Sequence, residues 1–150
     1  MSKIGKNESK TEIIVRDHFR KYFNDIVFEE KKSDNPRIVK LLSAASKSGT
    51  GQGYPEFIIQ YKNNLDLLIV IECKANITKH ESKNRNQPKD YAVDGALLYS
   101  AYLSREFDVL SIGVSGENER ELKVSHFLQL KGGKKRLKNF YPNYYRSAII

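Results

Sequence analysis

Two apolar stretches joined by a short polar turn constrain the fold of this chain more than any other feature. Residues 56–62 and 66–74 are rich in β-branched and aromatic residues, which favour strands. Asn63 and Asn64 between them are typical turn residues. We therefore predict an antiparallel hairpin over residues 56–74.

The register of this hairpin decides which side chains meet. A three-residue loop would pair Lys62 with Asp66 at the turn and, along the same register, Glu56 with Glu72. Lys74 lies two residues beyond Glu72 and therefore on the same face of the sheet. The residues of the opposite face are all apolar and should form core: Phe57, Ile59, Tyr61, Leu67, Ile69, Ile71 and Cys73.

Two facing carboxylates repel each other unless a proton or a cation lies between them. Mg²⁺ suits this arrangement, because it takes oxygen ligands and usually only one or two carboxylates, and Mn²⁺ can substitute for it. Glu56 and Glu72 would bind the ion, with the backbone carbonyl of Cys73 as a further oxygen. Lys74 would hold or help deprotonate a water that attacks a phosphodiester. The alternative is a salt bridge between Glu56 and Lys74, with Glu72 solvated.

Other local signals predict an α/β domain with a single mixed central sheet flanked by helices. Ser9 and Glu12 have the spacing of a capping box for a helix that runs to about residue 23. Pro36 and Pro88 are each expected near the start of a helix, over about 37–46 and 88–103. Further strands are expected over 25–29, 107–114 and 122–130.

Positive charge is concentrated at the end of the chain. Residues 131–150 contain six Lys or Arg and no acid, and so contribute +6 of the net charge of +8. Basic residues interleaved with tyrosines can contact a nucleic-acid backbone, and the candidates are Lys134, Lys135, Arg136 and Lys138. The alternatives are a solubilising tail or a segment that packs on another domain. We predict one domain over residues 1–130 and a basic, Tyr-rich tail or linker over 131–150.

Composition excludes several other classes of protein. One cysteine cannot form an internal disulfide framework or a thiolate zinc site. No apolar run approaches the roughly 18–20 residues that span a bilayer, and the first residues lack the apolar core of a signal peptide. No Gly-rich phosphate loop ending in Gly-Lys-Ser/Thr is present. We expect a cytoplasmic protein that does not act at a membrane.

The motifs of the hairpin resemble those of the PD-(D/E)xK nuclease superfamily. The matching residues are Pro55-Glu56 at the start of one strand and Glu72-Cys73-Lys74 on the next. One departure is Glu56, where the family more often has Asp. Gln87 and Tyr91 also fit the Q-x-x-x-Y motif of one branch, and at i, i+4 they would share one helix face.

That branch includes the nuclease domains of type I restriction motor subunits and of fused, type IIG-like restriction–methylation enzymes. The resemblance covers roughly residues 10–130 and implies a restriction-endonuclease-like fold. It also implies supporting roles for Gln87 and Tyr91, and a place in the metal site for Glu12. The alternative for Glu12 is that it only completes the capping box with Ser9.

These observations lead to one main hypothesis and two rivals. The main hypothesis is a Mg²⁺-dependent endonuclease domain that cuts double-stranded DNA as part of a restriction–modification enzyme. Its partners would be further domains or subunits for methylation, specificity or translocation. The rivals are a stand-alone Holliday-junction-type resolvase and a non-catalytic DNA-binding or assembly module of the same fold.

Overall fold

The computed structural model describes residues 8–132 and the backbone of residues 136–138, and it confirms an α/β fold with one mixed sheet. The helices are α1 (Glu8–Arg20), α2 (Pro36–Leu41) and α3 (Ala92–Leu103). Short 3-10 turns cover Leu42–Ala44 and Ile77–Lys79. The strands are β1 (Ile26–Glu30), β2 (Phe57–Tyr61), β3 (Asn64–Lys74), β4 (Asp108–Ser115), β5 (Lys123–Gln129) and β6 (Arg136–Lys138).

The six strands lie side by side in sequence order. Every neighbouring pair is antiparallel except β3 and β4, which are parallel and are joined through α3. A parallel connection needs a crossover, and the helix provides it. The carboxyl ends of β3 and β4 therefore lie together at one edge of the sheet, with Lys74 beside Ser115.

The sheet has an apolar core on each face. On one face α1 contributes Val15 and Phe19 to a cluster with Phe57, Ile59, Ile69, Ile71, Cys73, Leu110, Ile112 and Val114. On the other face α2 and α3 pack on Ile58, Leu68, Val70 and Val109. The face that carries Glu72 is therefore covered by α2 and α3 along the middle of the hairpin. Its charged groups lie towards the ends of β3, with Glu72 and Lys74 at the open end of the hairpin.

The predicted hairpin register is correct along most of its length and wrong at the turn. Ile58 pairs with Val70 and Phe57 with Ile71, and the same register leads on to Glu56 and Glu72. A bulge after Gln60 then shifts the pairing, so that Tyr61 lies opposite Asn64 rather than Lys62 opposite Asp66. The Lys62 amide instead donates to the carbonyl oxygen of Asp25, at 2.9 Å, which ties the turn to the start of β1.

Two predicted helix starts are also wrong. Ser9 lies inside α1, which already includes Glu8, so Ser9 and Glu12 do not form a capping box. Residues 88–90 form a turn, and α3 begins only at Ala92, after an extended Tyr91 with φ −126° and ψ 135°. The Gln87 carbonyl accepts hydrogen bonds from the Asp90 and Tyr91 amides, which closes this turn before the helix starts.

The described residues contain no helix long and apolar enough to cross a membrane. The backbone of residues 136–138 pairs with β5 as the outermost strand. The division of the chain at residue 130 stays a prediction, because most of residues 131–150 lie outside the described part.

Close contact between α3 and β4 predicts that Gly113→Ala destabilises the protein. A Cβ at Gly113 would stand 2.7 Å from Val93 Cγ2 and 2.8 Å from the Val93 backbone nitrogen, so the helix would have to shift. We expect the free energy of unfolding to fall by about 1–3 kcal/mol, measured by denaturant titration.

Ser111→Ala in the same strand is the control. The Ser111 hydroxyl is buried without a hydrogen-bond partner in the described residues, so its loss should not destabilise. Equal stability of wild type and Gly113→Ala would contradict the contact.

Candidate active site

Three carboxylates from different parts of the chain meet beside the open end of the hairpin. Glu12 lies in the middle of α1. Glu56 is the residue immediately before β2, and Glu72 lies near the carboxyl end of β3. We call these three residues the carboxylate cluster. Lys31, at the end of β1, and Lys47, from the Gly-rich loop before β2, bring two ammonium groups to it.

Glu72 is the most deeply buried member, with 1% of its surface exposed. Its Oε2 accepts a hydrogen bond from the Glu56 backbone amide at 2.7 Å, and its Oε1 pairs with the ammonium of Lys47. Burial raises the pKa of Glu72, while the charge of Lys47 opposes that effect. Both oxygens of Glu72 are therefore held, and the carboxylate has a single orientation.

Lys47 is also largely withdrawn from solvent. Burial alone would lower the pKa of Lys47, but the charge of Glu72 and the hydrogen bond to it outweigh burial, so that the pKa is raised. Gly95 in α3 makes room for this ion pair. A Cβ at position 95 would stand 3.1 Å from Glu72 Oε1 and 3.2 Å from Lys47 Cε.

Lys31 holds Glu56 through both backbone and side chain. Its amide donates to the carbonyl oxygens of Pro55 and Glu56 at 3.1 and 3.2 Å, and its ammonium pairs with Glu56 Oε2. The same ammonium lies 3.9 Å from Glu12 Oε1. Lys31 has a φ of 66°, a left-handed conformation that is uncommon outside glycine. A backbone cost at this position is therefore balanced by the contacts that Lys31 makes with the cluster.

Glu12 and Glu56 share a proton. The side-chain hydrogen bond to Glu56, together with burial and the charge of Glu56, raises the pKa of Glu12 to about 7. Burial would raise the pKa of Glu56 as well, but the hydrogen bond from Glu12 and the ammonium of Lys31 lower it. Glu12 therefore keeps its proton up to a pH of about 7, whereas Glu56 loses its proton at lower pH.

Lys74 leaves β3 on the side of α1. Its ammonium lies 4.0 Å from Glu8 Oε2, and its carbonyl oxygen accepts from the Gly116 amide at 2.9 Å. The salt bridge that the sequence suggested as an alternative, between Glu56 and Lys74, is wrong, because Glu56 pairs with Lys31. The suggestion that Glu72 would be solvated is wrong as well, since burial is almost complete.

The loop between β3 and α3 is organised around Asp94 rather than around a helix face with Gln87 and Tyr91. The buried Asp94 carboxylate accepts hydrogen bonds from the Gln87 amide at 2.9 Å, the Ser82 amide at 3.1 Å and the Ser82 hydroxyl. Because residues 88–90 are not helical, Gln87 and Tyr91 do not share a helix face. The Tyr91 ring instead lies 5.1 Å from the ammonium of Lys79.

Several residues of the site carried little or no signal in the sequence. Glu8 stands one helical turn before Glu12, and that i, i+4 spacing could have identified it. Lys31 and Lys47 lie in turn and loop segments without a motif of their own. The side chains of Lys134, Lys135, Arg136 and Lys138 lie outside the described residues, so their contact with DNA stays a prediction.

The oxygen-rich cluster has the right chemistry for a hard divalent ion. Among residues 8–132, no three His, Cys, Asp or Glu side chains are arranged as a ready metal cage. Mg²⁺ does not need one, because it usually takes one or two carboxylates and keeps several waters. Two carboxyl groups that share a proton, Glu12 and Glu56, are a place where such an ion can replace that proton. The Cys73 side chain lies in the core on the α1 face, and the role of its carbonyl stays a prediction.

Comparison with known proteins points to a restriction–modification context. The type II restriction enzyme and methyltransferase RM.BcgI of Heyndrickxia coagulans is 34% identical to this chain across 65% of the chain. The match covers 17% of that protein, so this chain spans a small part of the relative's length. No family model matches the chain, and no solved structure matches it.

The shared proton predicts a carboxyl group that titrates near neutral pH in metal-free protein. Carbon-13 NMR should show a midpoint near 7 for Glu12, because the hydrogen bond to Glu56 stabilises the protonated form. The pKa of Glu12 is about 4.5 in the unfolded chain and about 7 in the folded chain, so the folded chain binds more protons between these two pH values. The stabilisation that comes from protonated Glu12 is therefore lost as the pH rises from about 4.5 to 7. Glu12→Gln, which keeps a donor towards Glu56, should remove that part of the pH dependence. A midpoint near 4.5 in the wild type would contradict the shared proton.

Proposed function

We propose that this chain is the nuclease module of a restriction–modification enzyme, that it belongs with the PD-(D/E)xK nucleases, and that it hydrolyses DNA phosphodiester bonds with Mg²⁺. The observation that carries the proposal is the hydrogen bond from the Glu56 backbone amide to the buried Glu72 carboxylate, which places both residues in the carboxylate cluster. Similarity to a restriction enzyme supports it independently.

In the proposed site Glu56 and Glu72 hold the ion, with Glu12 and the Cys73 carbonyl as further oxygens. When bound, Mg²⁺ would neutralise charge on the phosphate and acidify the attacking water. The hydrogen bond from the Glu56 amide keeps the Glu72 carboxylate oriented before any ion binds. This preorganisation reduces the rearrangement that loading would require.

Lys74 is the proposed group that holds the attacking water or helps to deprotonate it. It stands at the carboxyl end of β3, two residues beyond Glu72, and its Glu8 partner is 4.0 Å away and partly exposed. A loose ion pair of that kind contributes little to stability, so the ammonium can exchange Glu8 for a phosphate or a water at small cost. Gln87 and Tyr91 support the site through the loop that Asp94 anchors.

The proposed substrate is double-stranded DNA. The proposed DNA contacts are Lys134, Lys135, Arg136 and Lys138, whose charge would attract the phosphate backbone. Recognition of a base sequence and methylation are assigned to further domains or subunits, since this chain spans a small part of the relative that it matches.

One observation favours a non-catalytic DNA-binding or assembly module as the second candidate. Both Glu56 and Glu72 are paired with lysines, an arrangement that a purely structural network would also show. Such a module predicts DNA binding that does not depend on a divalent ion or on the charge of Glu72.

Substitution of Glu72 separates these two functions. We expect wild-type protein to bind Mn²⁺ in calorimetry and to nick plasmid DNA, and Glu72→Gln to lose the binding. Cleavage should fall about 100-fold or more, because the variant would no longer hold the ion that stabilises the developing charge. Glu106→Gln replaces a half-buried acid that follows α3 and pairs with Arg37; it is the matched control and should behave like the wild type.

Retained Mn²⁺ binding in Glu72→Gln would remove this carboxylate from the proposed ion site. If the wild type fails to bind Mn²⁺ even with DNA present, while DNA binding is unchanged in Glu72→Gln, the non-catalytic module becomes the better description. Circular dichroism of each variant confirms that the fold is retained before either result is interpreted.

A further inference from the structure

Lys47 occupies the position at Glu72 where a positive charge is needed. The Glu72 carboxylate is almost fully buried, and an unpaired charge in such a place is costly. The Lys47 ammonium pairs with Oε1, and the second oxygen is already taken by the Glu56 amide. The charge on Glu72 is therefore balanced by a side chain of the same chain.

The segment that carries Lys47 is rich in glycine. Residues 46–53 contain three glycines, and Gly49 and Gly51 have φ values of 95° and 90° with open space around them. Short-range bonds hold the loop, from the Gly49 amide to the Ser46 carbonyl and from the Ser46 amide to the Gly51 carbonyl, both at 3.0 Å. Its far end is fixed by the Gly53 amide, which donates to the Leu42 carbonyl at 2.8 Å. Withdrawal of Lys47 from Glu72 therefore requires a change within residues 46–52 and not in the hairpin.

We propose that Lys47 competes with the divalent ion for Glu72. Lys47 neutralises Glu72 when no ion is bound, and the ion must displace Lys47 in order to bind. This inference rests on the proposed ion site. The ion and the ammonium cannot share Glu72 Oε1, because two cations at that distance repel strongly in a buried setting. Binding of the ion therefore frees both the ammonium and the loop, on the side of the cluster where α3 begins.

The proposed competition with the ion is assigned to Lys47 and not to Lys31, because the two lysines are held in different ways. Lys31 contacts the cluster from the exposed side, where 52% of its side chain is open to solvent. Its backbone is fixed by two hydrogen bonds to residues 55 and 56, so it can turn away only at the tip of the side chain. Lys47 has 22% of its side chain exposed and packs against Gly95, and its departure requires the loop to move.

The test measures Mn²⁺ affinity by calorimetry for the wild type and two variants at position 47. Lys47→Gln removes the charge but keeps a donor for Glu72, and we expect Mn²⁺ to bind about tenfold or more tightly. Lys47→Arg keeps the charge and can pair with both oxygens of a carboxylate, so Mn²⁺ should bind more weakly than to the wild type. Lys62→Gln, at the far end of the hairpin, controls for the loss of one positive charge.

A second readout follows the loop itself. Hydrogen exchange of the wild-type Gly49 and Ser46 amides should become faster when Mn²⁺ saturates the protein, because the displaced lysine no longer anchors the segment. In Lys47→Gln the same amides should exchange at similar rates with and without Mn²⁺. A lysine with only a structural role would not link metal loading to exchange in this loop.

The outcomes separate the two proposals. If neither the wild type nor Lys47→Gln binds Mn²⁺, the proposed ion site fails and this inference fails with it. If the wild type binds but Lys47→Gln binds no more tightly than Lys62→Gln, the ion site stands and competition is overturned. Binding by Lys47→Gln where the wild type does not bind would be the strongest support.

Discussion

The need to neutralise the buried carboxylate of Glu72 organises this end of the molecule. A buried charge without partners costs several kcal/mol, so the chain must bring donors to it. One is the Glu56 amide, which holds the start of β2 beside the end of β3. The other is Lys47, which draws in the Gly-rich loop. A hydrogen bond and an ion pair, rather than apolar packing, thereby hold the open end of the hairpin together.

The position of the charged groups follows from how the sheet is covered. Helices lie on both faces of β3, so its middle residues are apolar and its polar groups lie at its two ends. Helix α1 then adds Glu8 and Glu12 from the side. The Thr11 hydroxyl anchors that helix by donating to the Gly116 carbonyl at 2.5 Å, beside the end of β4. One helix and two strands thus fix the cluster relative to the sheet.

A restriction–modification context fits this architecture, because similarity to RM.BcgI covers a domain-sized part of a much longer protein. The carboxylates of the proposed ion site are paired with lysines. Pairing of this kind keeps several like charges compatible with a stable fold, and in our proposal it competes with the ion. Stability of the empty site and affinity of the loaded site are then opposing demands on Lys47.

The sequence by itself determined the α/β class, the hairpin register at Ile58 and Val70, and the approach of Glu56 to Glu72, because strand alternation and turn residues act locally. Tertiary structure decided that Pro88 does not start a helix, since the Asp94 carboxylate holds the Gln87 amide. It also decided that Lys31 and Lys47, rather than Lys74, neutralise Glu56 and Glu72. Local patterns cannot specify such partners, because a buried charge takes whichever cation the folded chain brings within reach.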